Sequence, residues 1–165
     1  MSHSFSLGSV YVELPPAERF AQFLQNHGKR LTPQRQIIVE QVFSHHDHFD
    51  ADELLEHLHD WISTRKLSRP TVYRTLSELV EAGMLRSMTL SGRSVYEHEY
   101  GYPRHDHLYC QVCNRLIEFH SGALDRLCAA LAREYQFQVT GHRMFVMGIC
   151  DQCRARDQAA GGRGQ

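Results

Sequence analysis

Two C-x2-C pairs, Cys110 with Cys113 and Cys150 with Cys153, constrain this chain more than anything else in its 165 residues. Each pair offers two thiols from one tight turn, and two such turns supply the four soft ligands of a tetrahedral structural zinc. The 36 residues between the pairs exceed a short zinc ribbon, so a folded element must lie between them. Disulfides and a dithiol redox motif are the competing uses. Against disulfides, Met1 to Tyr11 lacks the basic start and long apolar run of a secretory leader, which points to a reducing, cytoplasmic setting. Against a redox motif, Cys113 leads into the strand-like Leu116-Ile117-Glu118-Phe119 and does not open a helix. A zinc held by Cys110, Cys113, Cys150 and Cys153 is therefore expected. The fifth cysteine, Cys128, keeps helical step with Leu124, Leu127 and Leu131 and reads as a core residue.

A metal staple suits a chain built of two small domains, whose separate cores are marginal. No apolar run approaches the ~20 residues of a membrane span. The net charge is −1, with ten Lys/Arg against twelve Asp/Glu up to residue 98 and eight against seven beyond it. Overall charge thus gives no sign of a nucleic-acid partner. Placement is more telling: Lys29, Arg30, Arg35, Arg65, Lys66, Arg69, Arg74, Arg86 and Arg93 are nine of the ten early bases.

Residues 1–14 carry no period and read as a loose arm. From Pro16 a helix is expected with Phe20, Phe23 and Leu24 in step and Gly28 as its stop. Thr32-Pro33 is an N-cap followed by proline at the first helical position, before Ile37, Ile38, Val42 and Phe43. Asp50 and Glu53 have capping-box spacing ahead of a third helix with Leu54, Leu55, Leu58, Trp61 and Ile62. Ser68-Arg69-Pro70 opens a fourth, with Val72, Leu76, Leu79 and Val80 on one face and Gly83 at its end. Its other face carries Thr71, Arg74 and Ser77, with Tyr73 at the border. Two short strands, Leu85 to Leu90 and Ser94 to Glu97, flank the turn dipeptide Ser91-Gly92.

Helices followed by a β-hairpin have the layout of a winged helix-turn-helix, in which the last helix presents its N-terminal residues to the major groove. Arg69, Thr71, Tyr73 and Arg74 are those residues here, and Arg86 and Arg93 on the wing are placed to neutralise phosphates. A helix bundle with a polar outer face gives the same pattern. Residues 99–104, with Gly101 and Pro103, form the expected hinge after a DNA-binding domain of residues 1–98. A second domain, 105–153, is expected to hold strands near Leu108–Cys110, Leu116–Phe119, Phe137–Thr140 and Met144–Ile149, and a helix over Ser121–Tyr135. That helix would turn Leu124, Leu127, Cys128 and Leu131 inward. One sheet with one helix leaves a sheet face bare, so a second copy is expected to cover it, giving a homodimer. Residues 154–165, rich in Arg, Ala, Gly and Gln, are expected to be a disordered tail. The fold class is α+β: a winged helix-turn-helix domain plus a small α/β dimerisation domain with structural zinc.

His105 and His107 alternate on one expected strand and so share a face, where Glu118 joins them if the strands pair. Imidazoles with carboxylates make an N/O site for iron(II), manganese(II), zinc, nickel or cobalt, distinct from a thiolate cage.

The set His48-x5-Leu54, Arg69-Pro-Thr-Val-Tyr-Arg-Thr-Leu76, Ser94-Val-Tyr-Glu97, His105-Asp-His-Leu-Tyr-Cys-Gln-Val-Cys113 and Ile117-Glu-Phe119 resembles the ferric uptake regulator family of metal-dependent bacterial repressors, over about Gly28 to Cys153. The resemblance implies a winged helix, a hinge and an α/β dimerisation domain. It implies structural zinc on the four cysteines and a regulatory site of His48, Glu97, His105, His107 and Glu118. It implies major-groove reading by Tyr73 and Arg74, a minor-groove contact from Arg30, and a palindromic double-stranded DNA operator. Some members have a third site; Asp106, Asp125 and His142 match three of its positions, but Arg104 replaces a histidine. Glutamate at positions 97 and 118, where peroxide sensors tend to carry aspartate, favours iron(II); zinc sensors often add a hinge cysteine, and none lies between residues 84 and 109. Peroxide, zinc, manganese and nickel sensing remain alternatives within the family. A metalloenzyme is the rival of another class, but five protein ligands leave little room for substrate, and no nucleophile stands in defensible spacing to a base. The expectation is a regulator with no catalytic residues, no membrane and no small organic substrate.

Overall fold

The computed structural model describes residues 10–45, 47–64 and 66–161, the last four as backbone alone. His46, Arg65 and residues 1–9 and 162–165 lie outside the described residues. The chain divides into two compact units, Ser9–Pro103 and, after it, Arg104–Gln165.

In the first unit, helix α1 (Pro16–Asn26) buries Phe20 and Leu24, one turn apart. Gly28 at φ 67° then takes the left-handed conformation that ends the run. Helix α2 (Pro33–Phe43) starts as its spacing predicts, with the Thr32 side chain accepting from the Arg35 amide. Strand β1 (Phe49–Asp50) is too short to have a readable period and was not expected. Helix α3 (Ala51–His57) has the full capping box: the Asp50 carboxylate takes the Glu53 amide at 2.9 Å, and Glu53 takes the Asp50 amide at 2.8 Å. The expected third helix breaks at Leu58, and a short α4 (His59–Ser63) follows. The break keeps Leu58 wholly buried while Trp61, expected inside, is 39% exposed with the Lys66 ammonium 5.6 Å from its ring centre.

Helix α5 (Arg69–Glu81), capped by Ser68, buries Val72, Leu76 and Leu79, and also Thr75 and Glu78. Thr75 satisfies its hydroxyl by donating to the Thr71 carbonyl at 2.8 Å. Strands β2 (Leu85–Leu90) and β3 (Arg93–His98) pair across Ser91 and Gly92, whose φ values of 49° and 79° suit a tight hairpin turn. The sheet order is β1-β3-β2, all antiparallel. Helices α2, α3 and α5 with this hairpin make the winged helix, around a core of Phe20, Leu24, Ile38, Leu58, Leu76 and Leu79. Residues beyond β3 stay with this unit: the amides of Glu99 and Tyr100 both donate to the Met84 carbonyl, and the Tyr100 hydroxyl donates to that of Leu14. Those bonds explain why the compact unit extends to Pro103, past the start of the expected hinge.

In the second unit, β4 (Asp106–Cys110) is central, antiparallel to β5 (Leu116–Phe119) and parallel to β6 (Phe145–Gly148). Helix α6 (Gly122–Glu134) lies between β5 and β6 in sequence. Three expectations fail. No strand forms at Phe137–Thr140. Helix α6 buries no residue: Leu127 is 55% exposed, Leu131 46%, and Cys128 is half-buried, not core. A helical stripe signals that a face will be covered, but not that its own chain covers it. Third, the backbone is helical in α7 (Asp151–Gly161), where a disordered tail was expected from residue 154. Low apolar content suggested disorder, but Ala, Arg and Gln are strong helix formers and Asp151 favours the N-terminus. No helix of the described residues is long and apolar enough to cross a membrane.

Leu76 is fully buried at the centre of α5. Leu76→Ala should lower stability by about 2–5 kcal/mol, read as a shift of the urea midpoint in zinc-loaded protein.

Candidate metal centres and nucleic-acid interface

The four-cysteine site is built by two turns. Cys110 ends β4, and the Tyr109 hydroxyl braces the following turn by donating to Asn114 Oδ1 at 2.6 Å. Asn114 tolerates φ 60° there, bringing Cys113 back beside Cys110. Cys150 and Cys153 follow β6, at the mouth of α7. All four sulfurs lie within 4.8 Å of one another, with Cys113 and Cys150 Sγ 3.7 Å apart. Tetrahedral zinc with bonds of ~2.3 Å implies sulfur separations of about 3.8 Å. No disulfide links any of the five cysteines, and the four sulfurs converge as one cage, which favours the zinc reading over the disulfide one. The Cys150 amide donates to Cys110 Sγ at 3.3 Å. That bond, with one from the Cys113 amide, lowers the Cys110 thiol to about 6. Burial first, then the neighbouring thiols, push Cys153 up to about 12. One ready thiolate beside a thiol that ionises only against a cation is a donor set suited to an ion.

Each unit also carries a nitrogen and oxygen donor set. In the second, His105 precedes β4 and His107 lies on it, two residues apart and on one face. His107 pairs in register with Glu118 on β5. His105 Nε2 is 3.6 Å from Glu118 Oε1, and ligand atoms of His105, His107 and Glu118 lie within 4.8 Å of one another. His107 is fully buried and His105 nearly so. In the first unit, Glu97 is 2% exposed on β3 with His48 Nε2 3.3 Å from its Oε2. Arg86, opposite Glu97 on β2, lies 3.8 Å from Glu97 Oε1 and pairs more closely with Glu99. The expected phosphate role of Arg86 thus competes with two carboxylates. Arg93 keeps 78% of its side chain exposed, 3.5 Å from Asp50.

Asp106 faces away from His107 and accepts from the Met144 amide at 2.6 Å. His142 stands between two carboxylates, Nε2 3.4 Å from Asp106 and Nδ1 3.8 Å from Asp125. His120, not singled out from sequence, reaches Asp125 at 3.4 Å. Among the described residues, Asp106, His142 and Asp125 follow one another in a chain of contacts and do not converge as a metal-binding group. His142 spends a different nitrogen on each acid, and the Arg104 guanidinium packs against neighbouring Gly141.

On the nucleic-acid side, α5 exposes Arg69, Arg74 and Ser77, with Tyr73 46% exposed. Thr71 is half-buried, its hydroxyl 2.7 Å from that of the Ser68 cap. Arg30 is exposed in the turn between α1 and α2. Glu78, buried on the inner face of α5, was missed; its signal was an acid in step with Val72, Thr75 and Leu79.

The ferric uptake regulator family profile matches residues 26–147, from the end of α1 into β6. The chain is 32% identical over 136 residues to the ferric uptake regulation protein of Campylobacter upsaliensis, covering 82% of this chain and 87% of the relative. It is 31% identical over 131 residues to the peroxide-responsive repressor PerR of Staphylococcus epidermidis, covering 79% of this chain and 85% of that one. Among solved structures, the Vibrio cholerae ferric uptake regulator, which shows a rearrangement of its DNA-binding domains, superposes with a TM-score of 0.63 at 31% identity. That match covers 78% of this chain and 98% of the other. With a winged helix, a four-cysteine site and a histidine-carboxylate site in place, this chain belongs to the ferric uptake regulator family of metal-responsive, DNA-binding transcriptional regulators.

Proposed function

We propose that this protein is an iron(II)-co-repressed repressor of metal-uptake genes, acting in the cytoplasm as a homodimer on a palindromic operator. The carrying observation is that each compact unit holds its own histidine-carboxylate set, His48 with Glu97 and His105 and His107 with Glu118, separate from the cysteine cage. In this reading Cys110, Cys113, Cys150 and Cys153 hold zinc permanently, while the other five ligands share one exchangeable ion. An ion that draws ligands from both units holds them in one orientation, and so selects the form whose two recognition helices meet successive major grooves. DNA then tightens metal binding by the same factor as metal tightens DNA binding. Arg69, Thr71, Tyr73 and Arg74 read the major groove and Arg30 the minor groove. Exposed apolar residues of the second unit, Leu127, Leu131, Tyr135 and Phe137 among them, supply the surface that a second copy covers. Five protein ligands would leave little room at the ion for a substrate, which supports a regulatory over a catalytic use.

Donor type does not name the ion, because such sites follow the Irving-Williams order. Iron(II) rests on the likeness to a ferric uptake regulation protein and on glutamate at 97 and 118. The nearly equal likeness to a peroxide-responsive repressor favours a second reading, in which bound iron senses peroxide. Oxidised His48 or His105 after peroxide treatment of the iron-loaded protein would mark it.

The test is an anoxic titration of iron(II) into zinc-loaded protein at fixed salt, with a duplex from upstream of its own gene. Saturable, iron-dependent binding of a dimer is expected. A response to manganese, zinc or nickel alone would move the metal assignment, and no response to any would overturn the regulatory reading. His105→Ala should abolish metal-stimulated binding while one zinc per chain is retained in elemental analysis. Cys153→Ser should lose that zinc and the cooperative unfolding of the second unit, seen by calorimetry.

A further inference from the structure

Glu78 is 3% exposed, on the inner face of α5 beside Leu79. A carboxylate so placed is retained only with close charged partners. Its Oε1 accepts from Lys29 Nζ at 2.9 Å and from Arg35 Nη2 at 2.8 Å, and its Oε2 from Arg35 Nε at 3.0 Å. The Arg35 contact is therefore a two-point fork, which fixes direction as well as charge. The same guanidinium turns Nη1 to the Arg30 carbonyl and donates at 2.8 Å. One buried acid in α5 thus grips the turn between α1 and α2 twice, through the Lys29 side chain and, by way of Arg35, through the Arg30 backbone.

We propose that Glu78 is a positioning residue for DNA recognition, holding Arg30 at a set distance from Tyr73 and Arg74 so that minor-groove and major-groove contacts fall in register on one duplex. This rests on the assignment of Arg30, Tyr73 and Arg74 to DNA above. The side chains of Arg30 and Arg74 are exposed, whereas the Glu78 carboxylate is held by Lys29 and Arg35. Neutralising Glu78 costs stability, because Lys29 and Arg35 lose their counter-charge, and it releases the turn that carries Arg30 while Tyr73 and Arg74 stay on the outer face of α5. Replacing Arg35 by lysine keeps the charge opposite Glu78 but removes the geometry that also reaches the Arg30 carbonyl.

The experiment uses full-length, zinc-loaded, manganese-saturated protein and a duplex from upstream of its own gene, with melting temperature recorded for each variant. Glu78→Gln and Arg35→Lys are each expected to weaken DNA binding by about tenfold, on the order of a typical coupling between contacting groups. The discriminating readout is the pairwise cycle. Glu78→Gln should cost little more once Arg30→Ala is present, yet should multiply fully with Arg74→Ala. With every variant assayed well below its melting temperature, a general loss of folding would multiply with both Arg30→Ala and Arg74→Ala, and that outcome would overturn the proposal. So would wild-type binding by a folded Arg35→Lys. Arg74→Ala binding like wild type would instead overturn the recognition-helix assignment itself.

Discussion

The two-residue period of strand β4 is the constraint on which the second unit depends. Because alternate side chains leave opposite faces, His107 joins His105 and Glu118 on one side while Asp106 goes to the other, toward His142. Cys110 then ends the same strand and begins the sulfur cage. A slip of one residue against β5 would exchange the faces and remove Glu118 from the histidines. Two donor chemistries, nitrogen with oxygen and sulfur alone, are thereby kept apart on a strand of five residues. Both flanking pairings bear on this: β5 sets Glu118 on the face of the two histidines, and β6 carries the second pair of cysteines to the first.

In the first unit the corresponding constraint is the burial of charge. Glu97 and Glu78 are both nearly inaccessible, and each is surrounded by bases. Around Glu97 these are His48 and Arg86; around Glu78 they are Lys29 and Arg35. Buried carboxylates add little to stability when paired, but removing one partner is costly because the other is left charged without compensation. They therefore act as rigid joints. The joint at Glu97 ties His48 to strand β3, and the joint at Glu78 sits behind the exposed face of α5.

Much of this was legible in the sequence, for local reasons. Pro33 after Thr32, the Asp50 and Glu53 box, and Ser68 before Pro70 mark helix starts by chemistry confined to one turn, and α2, α3 and α5 begin there. The cysteine spacing and the alternation of His105 and His107 likewise involve neighbours in sequence. What escaped depends on partners far along the chain. Nothing near Glu78 announces Arg35, 43 residues away, and nothing near Arg86 announces that Glu97 and Glu99 compete for it. The stripe on α6 led to the expectation of an inward face, but its own chain leaves Leu127 and Leu131 in the open. Helix α7 was misread because composition averaged over a tail hides strong local propensity.

The sulfur cage is not equally enclosed on all sides: Cys110 and Cys153 are buried, Cys150 is half-buried and Cys113 is exposed. Three corners thus belong to the body of the unit, and one opens to solvent. A chelator or an oxidant meets Cys113 first, on a turn whose loosening leaves β4 and its paired strands in place. The lifetime of the bound ion is therefore a property of that single door, separate from the equilibrium affinity set by all four sulfurs.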